Sequence, residues 1–426
     1  MSERQPLQSP IGTHDVMADQ SPLWEGVVAH FAQFAYRFGF SMIHTPMFED
    51  VRVFHRGIGE KSDVASKEMY VFEDRGGRSY ALRPEGTAPI VRAFVQHQPT
   101  VPFRAWYVTP AFRYERPQAG RYRQHHQLGV EVLGTDDPAV DVEVISLAWR
   151  FYQALGLTQV RLLINSMGHV ECRERVVDVL REELHEHRQQ LCDDHRQSYA
   201  ENPLRVLDCK RPSCIAVTDD GPSLPDFLCA PCADHFARVR TGLSAIGIES
   251  VLTPRLVRGF DYYTRTTFEF VADALGSAQN AIGGGGRYDQ LAEELGGKPT
   301  SGIGFGSGIE RILLARAAEG VDQPLINRDI DIFVVDTTGH DVATVLVDQL
   351  RGAGWATLRA YDNRSMKSQM KLADKSGAKV ALLVGPQEEA AGEITIRELR
   401  SADFEQSQRV VLREEILATL RQTLGK

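Results

Sequence analysis

The densest group of residues that could grip a phosphate is the run Phe112 to Gln124. It sets Arg113, Arg116, Arg121 and Arg123, with Glu115, around a Pro117-Gln118-Ala119-Gly120 turn. Each guanidinium can bond two phosphate oxygens in one plane, so arginines fixed near a turn suit a polyphosphate. Two further groups carry polar chemistry. Leu82 to Thr87 places Glu85 and Thr87 around Gly86, a set able to hold an ammonium group by charge-assisted bonds; a plain surface turn is the competing reading. Leu256 to Tyr263 packs Arg258, Asp261, Tyr262 and Tyr263 together. Taken alone, that segment also fits a buried ion pair beside core aromatics.

Some element must hold these groups. Trp106 to Val108 before the arginine run and Leu128 to Leu133 after it read as strands, so the run is a hairpin with a basic loop. Alternation puts Gln127, Gly129 and Glu131 on one face of the second strand and Leu128, Val130 and Val132 on the other. The first face holds a carboxylate, an amide and a gap at Gly129 that leaves room for a small ligand; a half-solvated sheet face competes with this. Gly283 to Gly286 is followed by Gly302-Ile303-Gly304-Phe305-Gly306-Ser307, which runs into a helix over Ile309 to Ala318. Ser307 stands where a dinucleotide fingerprint needs its last glycine, and no P-loop pattern occurs. P-loop kinases and simple Rossmann dehydrogenases are thereby disfavoured.

Upstream, Ser21-Pro22 marks a helix start with Ser21 as cap. Trp24, Val27, Val28, Phe31, Phe34, Ala35 and Phe38 form its apolar stripe, ended by Gly39. Phe40 to Glu49 reads as one strand containing Pro46, which belongs at an edge or interface. The stripe and this edge fit a dimer surface or an ordinary core. From Asp329, strands at 330–335, 356–360 and 380–384 alternate with helices, a separate α/β domain with a mostly parallel sheet. Lys367, Lys371, Lys375 and Lys379 recur every four residues there; on one helix they form a basic stripe, either a solvated face or a phosphate-contact surface.

The 426 residues, 42% apolar and 25% charged, are ordinary for a globular enzyme of two to four domains. A cytoplasmic location is expected, since the N-terminus lacks a signal pattern and no apolar run reaches membrane-spanning length. The net charge of −9 argues against a chain that coats nucleic acid. All six cysteines lie between Cys172 and Cys232. Cys209-x4-Cys214 followed by Cys229-x2-Cys232 is close to a four-thiolate zinc spacing, though its first pair is wider than usual; free thiols are the alternative.

Together the motifs resemble a class II histidyl-tRNA synthetase. The strand around Pro46, the hairpin Phe112 to Glu131 and the run Gly304 to Arg311 resemble the three class II motifs. Leu256 to Tyr263 and Gly285 to Asp289 resemble stretches particular to the histidine enzyme. The resemblance implies an α+β catalytic domain over 1–325, with a six-stranded antiparallel sheet flanked by helices. It also implies an inserted helical, cysteine-bearing module at 170–248 and an α/β anticodon-binding domain at 326–426. It implies a histidine–tRNA ligase, working as a homodimer on histidine, ATP with Mg2+, and histidine tRNA. The runner-up is a histidine-sensing regulatory paralogue of the ATP phosphoribosyltransferase complex; such paralogues usually lack the anticodon domain and parts of the catalytic set.

Residue by residue, the resemblance assigns Arg113 and Arg258 to opposite sides of the α-phosphate. Arg121 and Arg311 go to the outer phosphates, and Glu115 lies near the adenine. Glu85, Gly86, Thr87 and Gln127 take the substrate ammonium. Glu131 and Tyr263 read the imidazole, and Tyr262 and Tyr288 line the pocket. Arg116, Gln118 and the lysines Lys367, Lys371 and Lys375 face tRNA. One departure stands out: the family commonly has phenylalanine at the position of His125, where it stacks on adenine. A histidine there stacks more weakly and brings an expected pH dependence.

Overall fold

The computed structural model describes residues 6–59, 62, 64–219, 221–257, 259–276, 280–321, 323–339, 341–401 and 407–425. The chain divides into two compact units, Met1–Ile326 and Asn327–Lys426.

In the first unit the opening helix spans Ser21–Arg37, with Gln20 as its cap. Ser21 is therefore inside the helix and does not cap it; its hydroxyl lies 3.4 Å from the Ala18 carbonyl. The stripe of Val27, Phe31 and Ala35 is fully buried. Eleven strands follow: β1 Ser41–Met42, β2 Phe48–Asp50, β3 Val71–Glu73, β4 Ser79–Leu82, β5 Phe103–Phe112, β6 Gln124–Leu133, β7 Val160–Ser166, β8 Ser250–Leu252, β9 Thr264–Ala272, β10 Ala281–Arg287 and β11 Gly302–Gly308. The single strand expected over Phe40 to Glu49 is instead the two short pieces β1 and β2, which join different sheets. Pro46 lies between them. It has no N–H to give a ladder, and the carbonyls of Thr45 and Pro46 accept from Arg83 Nη1 at 3.0 and 3.2 Å.

Among the described residues, the main sheet has the order β1-β5-β6-β11-β10-β9-β7-β8. Every pairing from β5 to β7 is antiparallel, which makes the expected six-stranded core; β1 and β8 add parallel edges. Leu128, Val130 and Val132 turn inward on β6 with no exposure, meeting Phe31, Phe151, Phe268 and Phe305 in one apolar core. The inserted module lies in the connection between β7 and β8. It runs from the helix Val170–Glu186 to the helix Ala230–Ala245, through helices of four to seven residues.

The second unit holds β12 Ile332–Asp336, β13 Thr357–Arg359, β14 Val380–Val384, β15 Glu393–Glu398 and β16 Gln408–Leu412, in the order β13-β12-β14-β15-β16. The first three are parallel, as the strand–helix alternation requires. β15 and β16 add two antiparallel pairings, so the sheet is mixed and not mostly parallel. Lys367, Lys371 and Lys375 lie exposed on the helix Met366–Lys375. Lys379 falls beyond its end, with its ammonium 3.4 Å from Asp331 Oδ1, and does not extend the stripe. No helix among the described residues is long and apolar enough to cross a membrane.

Candidate active site

One cavity of about 290 Å3 collects most of the polar residues singled out in the sequence. Glu85, Thr87, Gln127, Tyr262, Tyr263 and Tyr288 line one part of its wall, and Arg113, Glu115, Arg121, His125 and Arg311 line the rest. Arg258 lies outside the described residues. Arg116 and Gln118 border a neighbouring surface cavity with Lys67 and Glu68.

The sheet dictates where the carboxylate end forms. Gln127 and Glu131 project from β6 on the face opposite its apolar residues, as the alternation predicts. The adjacent strand β11 pairs Gly304 with Glu131 and Gly306 with Gly129. A Cβ at Gly304 would overlap Glu131 Oε2, and one at Gly306 would overlap Gln127 Nε2. The glycines of β11 are therefore the seats for the β6 side chains. Glu131 is fully buried. Thr87 Oγ1 donates to its Oε1 at 2.7 Å and the Tyr288 hydroxyl donates to its Oε2. Burial pushes the Glu131 carboxyl up to about 8, against the opposing bonds from Tyr288 and Thr87.

Glu85 sits just before the helix Thr87–His97 and accepts its free backbone N–H groups, from Thr87 at 2.5 Å and Ala88 at 2.8 Å. Burial raises its pKa and these bonds oppose the rise. Gly86 N–H donates to Gln127 Oε1 at 3.0 Å, which ties this turn to β6.

At the basic end, Arg113 Nε donates to the Pro84 carbonyl at 2.9 Å, locking the hairpin onto the Glu85 turn. Its guanidinium lies over the Phe260 ring, 5.6 Å from the centroid. Arg311 donates to the Gly120 carbonyl at 3.1 Å and the Ala281 carbonyl at 2.5 Å, pinning the hairpin tip to β10. Glu115 lies 3.9 Å from Arg113 and 3.6 Å from Arg121. Burial in the cavity wall, then the charges of Arg113, His126 and Arg311, lower His125 to about 3. Its ring is neutral throughout the physiological range, so the expected pH dependence at this position does not arise.

Two cavity carboxylates escaped the sequence reading. Glu269 alternates between the buried Phe268 and Phe270 on β9, a signal that alternation carries. Glu310 accepts from the His126 N–H at 2.9 Å; nothing local in the sequence marks it. The Arg287–Asp141 pair, 2.6 Å apart and fully buried, was missed as well. It clamps β10 to the helix Pro138–Ala154 below the cavity.

The four cysteines expected to converge do not. Cys209 and Cys214 meet Cys192 and His195, while Cys229 and Cys232 meet His169 and Cys172. The start of the helix Ala230–Ala245 meets the start of Val170–Glu186, where Cys229 N–H donates to Cys172 Sγ at 3.2 Å. Cys214 Sγ accepts separately from Cys192 N–H at 3.4 Å. None of the six cysteines forms a disulfide.

The comparisons agree with this geometry. Residues 12–207 and 226–312 match the family model "Histidyl-tRNA synthetase", and 329–423 match "Anticodon binding domain". The chain is similar to a histidine–tRNA ligase of Halothermothrix orenii, 44% identical over 93% of this chain and 96% of that one. It is equally similar to one of Moorella thermoacetica, 44% identical over 93% and 95%. The solved apo histidyl-tRNA synthetase of S. aureus superposes with a TM-score of 0.81 at 32% identity, covering 98% of this chain and all of that one. A Bacillus halodurans structure titled as an ATP phosphoribosyltransferase regulatory subunit/histidyl-tRNA synthetase shares the fold at 21% identity and a TM-score of 0.65, over 90% of this chain and all of that one. With both family models matched in order along one chain, and an arginine-rich pocket end facing a buried carboxylate end, the chain belongs to the histidyl-tRNA synthetase family.

Proposed function

We propose that the protein is a histidine–tRNA ligase that makes histidyl-adenylate from histidine and ATP and passes the histidyl group to the 3′ end of histidine tRNA. The observation that carries the reading is one cavity with fixed guanidiniums at one end and a buried Thr87–Glu131–Tyr288 hydrogen-bonded group at the other.

In this reading Glu85, Thr87 and Gln127 hold the substrate ammonium. The Glu131 carboxyl and Tyr263 read the imidazole N–H groups, with Tyr262 and Tyr288 as walls. A ligand without ring N–H groups leaves those buried polar atoms unpaired, which is the basis of rejection. Arg113 and Arg258 grip the α-phosphate, and Arg121 and Arg311 the outer phosphates. A carboxylate oxygen of histidine attacks the α-phosphorus, a new P–O bond forms, and the bond to pyrophosphate breaks. The arginines hold the reactants in line and balance the charge spread over the phosphoryl oxygens. No side chain forms a covalent intermediate. The terminal ribose hydroxyl of the tRNA then attacks the acyl carbon, and AMP leaves. Mg2+ neutralises phosphate charge when bound with ATP, and the oxygen donors of Glu269 and Glu310 suit it. His125 offers a neutral ring for stacking on adenine, and Glu115 lies beside it.

The exposed Met42, Met47, Phe48, Val71 and Phe72 support a homodimer. The exposed Lys367, Lys371 and Lys375 support contact with the tRNA backbone, and Arg116 and Gln118 near the hairpin tip support contact with the acceptor end. The cytoplasm is the compartment that fits this role. Histidine-dependent exchange of pyrophosphate into ATP tests the reading. Exchange with histidine and not with other amino acids is expected. Folded protein that binds histidine without exchanging would favour the regulatory alternative.

A further inference from the structure

Eight cysteine and histidine side chains of the cysteine-bearing module fall into two groups of four. His169, Cys172, Cys229 and Cys232 form one, and Cys192, His195, Cys209 and Cys214 the other. Within each group the ligand atoms lie within 4.8 Å of one another. Every cysteine of the chain is used and each group takes one histidine. The geometry points to two structural zinc ions, each held by three cysteines and one histidine.

The local structure carries this further. His169 and Cys229 cap the helices Val170–Glu186 and Ala230–Ala245, and Cys172 and Cys232 follow in the first turns. The i, i+3 spacing brings both ligands of each pair to one side of the first turn. A tetrahedral zinc site with Zn–S near 2.3 Å and Zn–N near 2.0 Å has ligand–ligand edges of about 3.4–3.8 Å. Cys229 Sγ lies 3.6 Å from His169 Nε2, and His195 Nδ1 lies 3.2 Å from Cys192 Sγ and 3.7 Å from Cys214 Sγ. With every ligand atom of a group within 4.8 Å of the others, the space suits one ion and leaves no room for an iron–sulfur cluster. A donor set of three thiolates and one imidazole selects zinc. His169 Nδ1 is buried without a hydrogen-bond partner, while its Nε2 is 3.1 Å from a Glu171 carboxylate oxygen. Because Nε2 also lies 3.6 Å from Cys229 Sγ, it is the ring atom that faces the ligand cluster, and Nδ1 is the second ring nitrogen.

Apart from one small apolar cluster around Val176, Leu180, Leu184, Val206 and Leu207, the module has little to fix its inner turns. Its inner helices of four to seven residues are too short to persist alone. Both sites adjoin the segment bordering the carboxylate end of the cavity. Arg173, next to Cys172, donates to the carbonyls of Asp261 at 3.0 Å and Tyr263 at 3.5 Å. Arg255 donates to the Cys209 carbonyl at 3.0 Å. Zinc therefore braces Arg255 from one site and Asp261 and Tyr263 from the other.

Untagged full-length protein purified without chelators is expected to carry two zinc ions per chain by elemental analysis. The Cys209→Ser/Cys214→Ser and Cys229→Ser/Cys232→Ser variants should each carry one. Zinc-edge X-ray absorption of the unaltered protein should give three sulfurs and one nitrogen per ion, and this arm needs no variant to fold. Less than about 0.2 zinc per chain would overturn the inference. So would a single zinc lost by both variants, which would mean one mixed four-cysteine site, and so would an all-sulfur shell.

Discussion

Glu131→Gln separates what the carboxyl does for binding from what it costs the fold. The side chain is fully buried, and burial moves its pKa from the ordinary 4.5 to about 8. Between those values the native state keeps a proton that the unfolded chain has released. Stability therefore falls as pH rises from about 4.5 and levels off above about 8. The full difference is up to about 5 kcal/mol, with the Thr87 and Tyr288 bonds already opposing it. Glutamine keeps the shape and removes the titration. The variant should match the parent near pH 5 and exceed its stability progressively toward pH 9. Urea unfolding of both proteins at one-unit steps of pH measures this. The same variant should raise the KM for histidine in pyrophosphate exchange about 10- to 100-fold, because the amide cannot reproduce the carboxyl's hydrogen bonds to the imidazole, Thr87 and Tyr288 together. A stability difference that is the same at pH 5 and pH 9 would refute the argument that burial controls this carboxyl.

Arg113→Ala should lower pyrophosphate exchange by about 100-fold or more while calorimetric histidine binding persists, since one phosphate contact in such a site supplies about 3 kcal/mol. Gly304→Ala should overlap the Glu131 carboxylate and abolish measurable histidine binding, at about 1–3 kcal/mol of stability. Gly352→Ala, whose Cβ meets open space, should leave histidine binding unchanged. Replacing Lys367, Lys371 and Lys375 together by glutamine should leave exchange intact, weaken tRNA binding and flatten its dependence on log salt by roughly 2–3 in slope; filter binding across a salt series reads both.

The parts of the protein legible in the sequence are those governed by local periodicity. The two-residue alternation of β6 put Gln127 and Glu131 on one face and the core residues on the other, and the passage from Gly308 into the helix Ile309–Ala318 came from its pattern. What escaped depends on contacts distant in the chain. Arg83 takes the carbonyls around Pro46, which splits an apparent strand. Lys379 keeps the four-residue rhythm of its neighbours, yet the helix ends at Lys375. Reading cysteines by sequence proximity joined Cys214 to Cys229, whereas the repeated two-residue gaps in His169-Cys172, Cys192-His195 and Cys229-Cys232 were the better signal. Glu310 became visible only when β11 was paired with β6.

The seating of Glu131 on Gly304 and of Gln127 on Gly306 has an evolutionary reading. Each polar side chain and the glycine beneath it act as one heritable unit, split between strands far apart in sequence. Drift at either member alone is closed off, because a larger β11 residue evicts its partner and a shorter β6 residue opens a void. A lineage, or a laboratory, seeking a different amino-acid substrate must therefore change both members of a unit together. A search that varies one position at a time would find this pocket immovable.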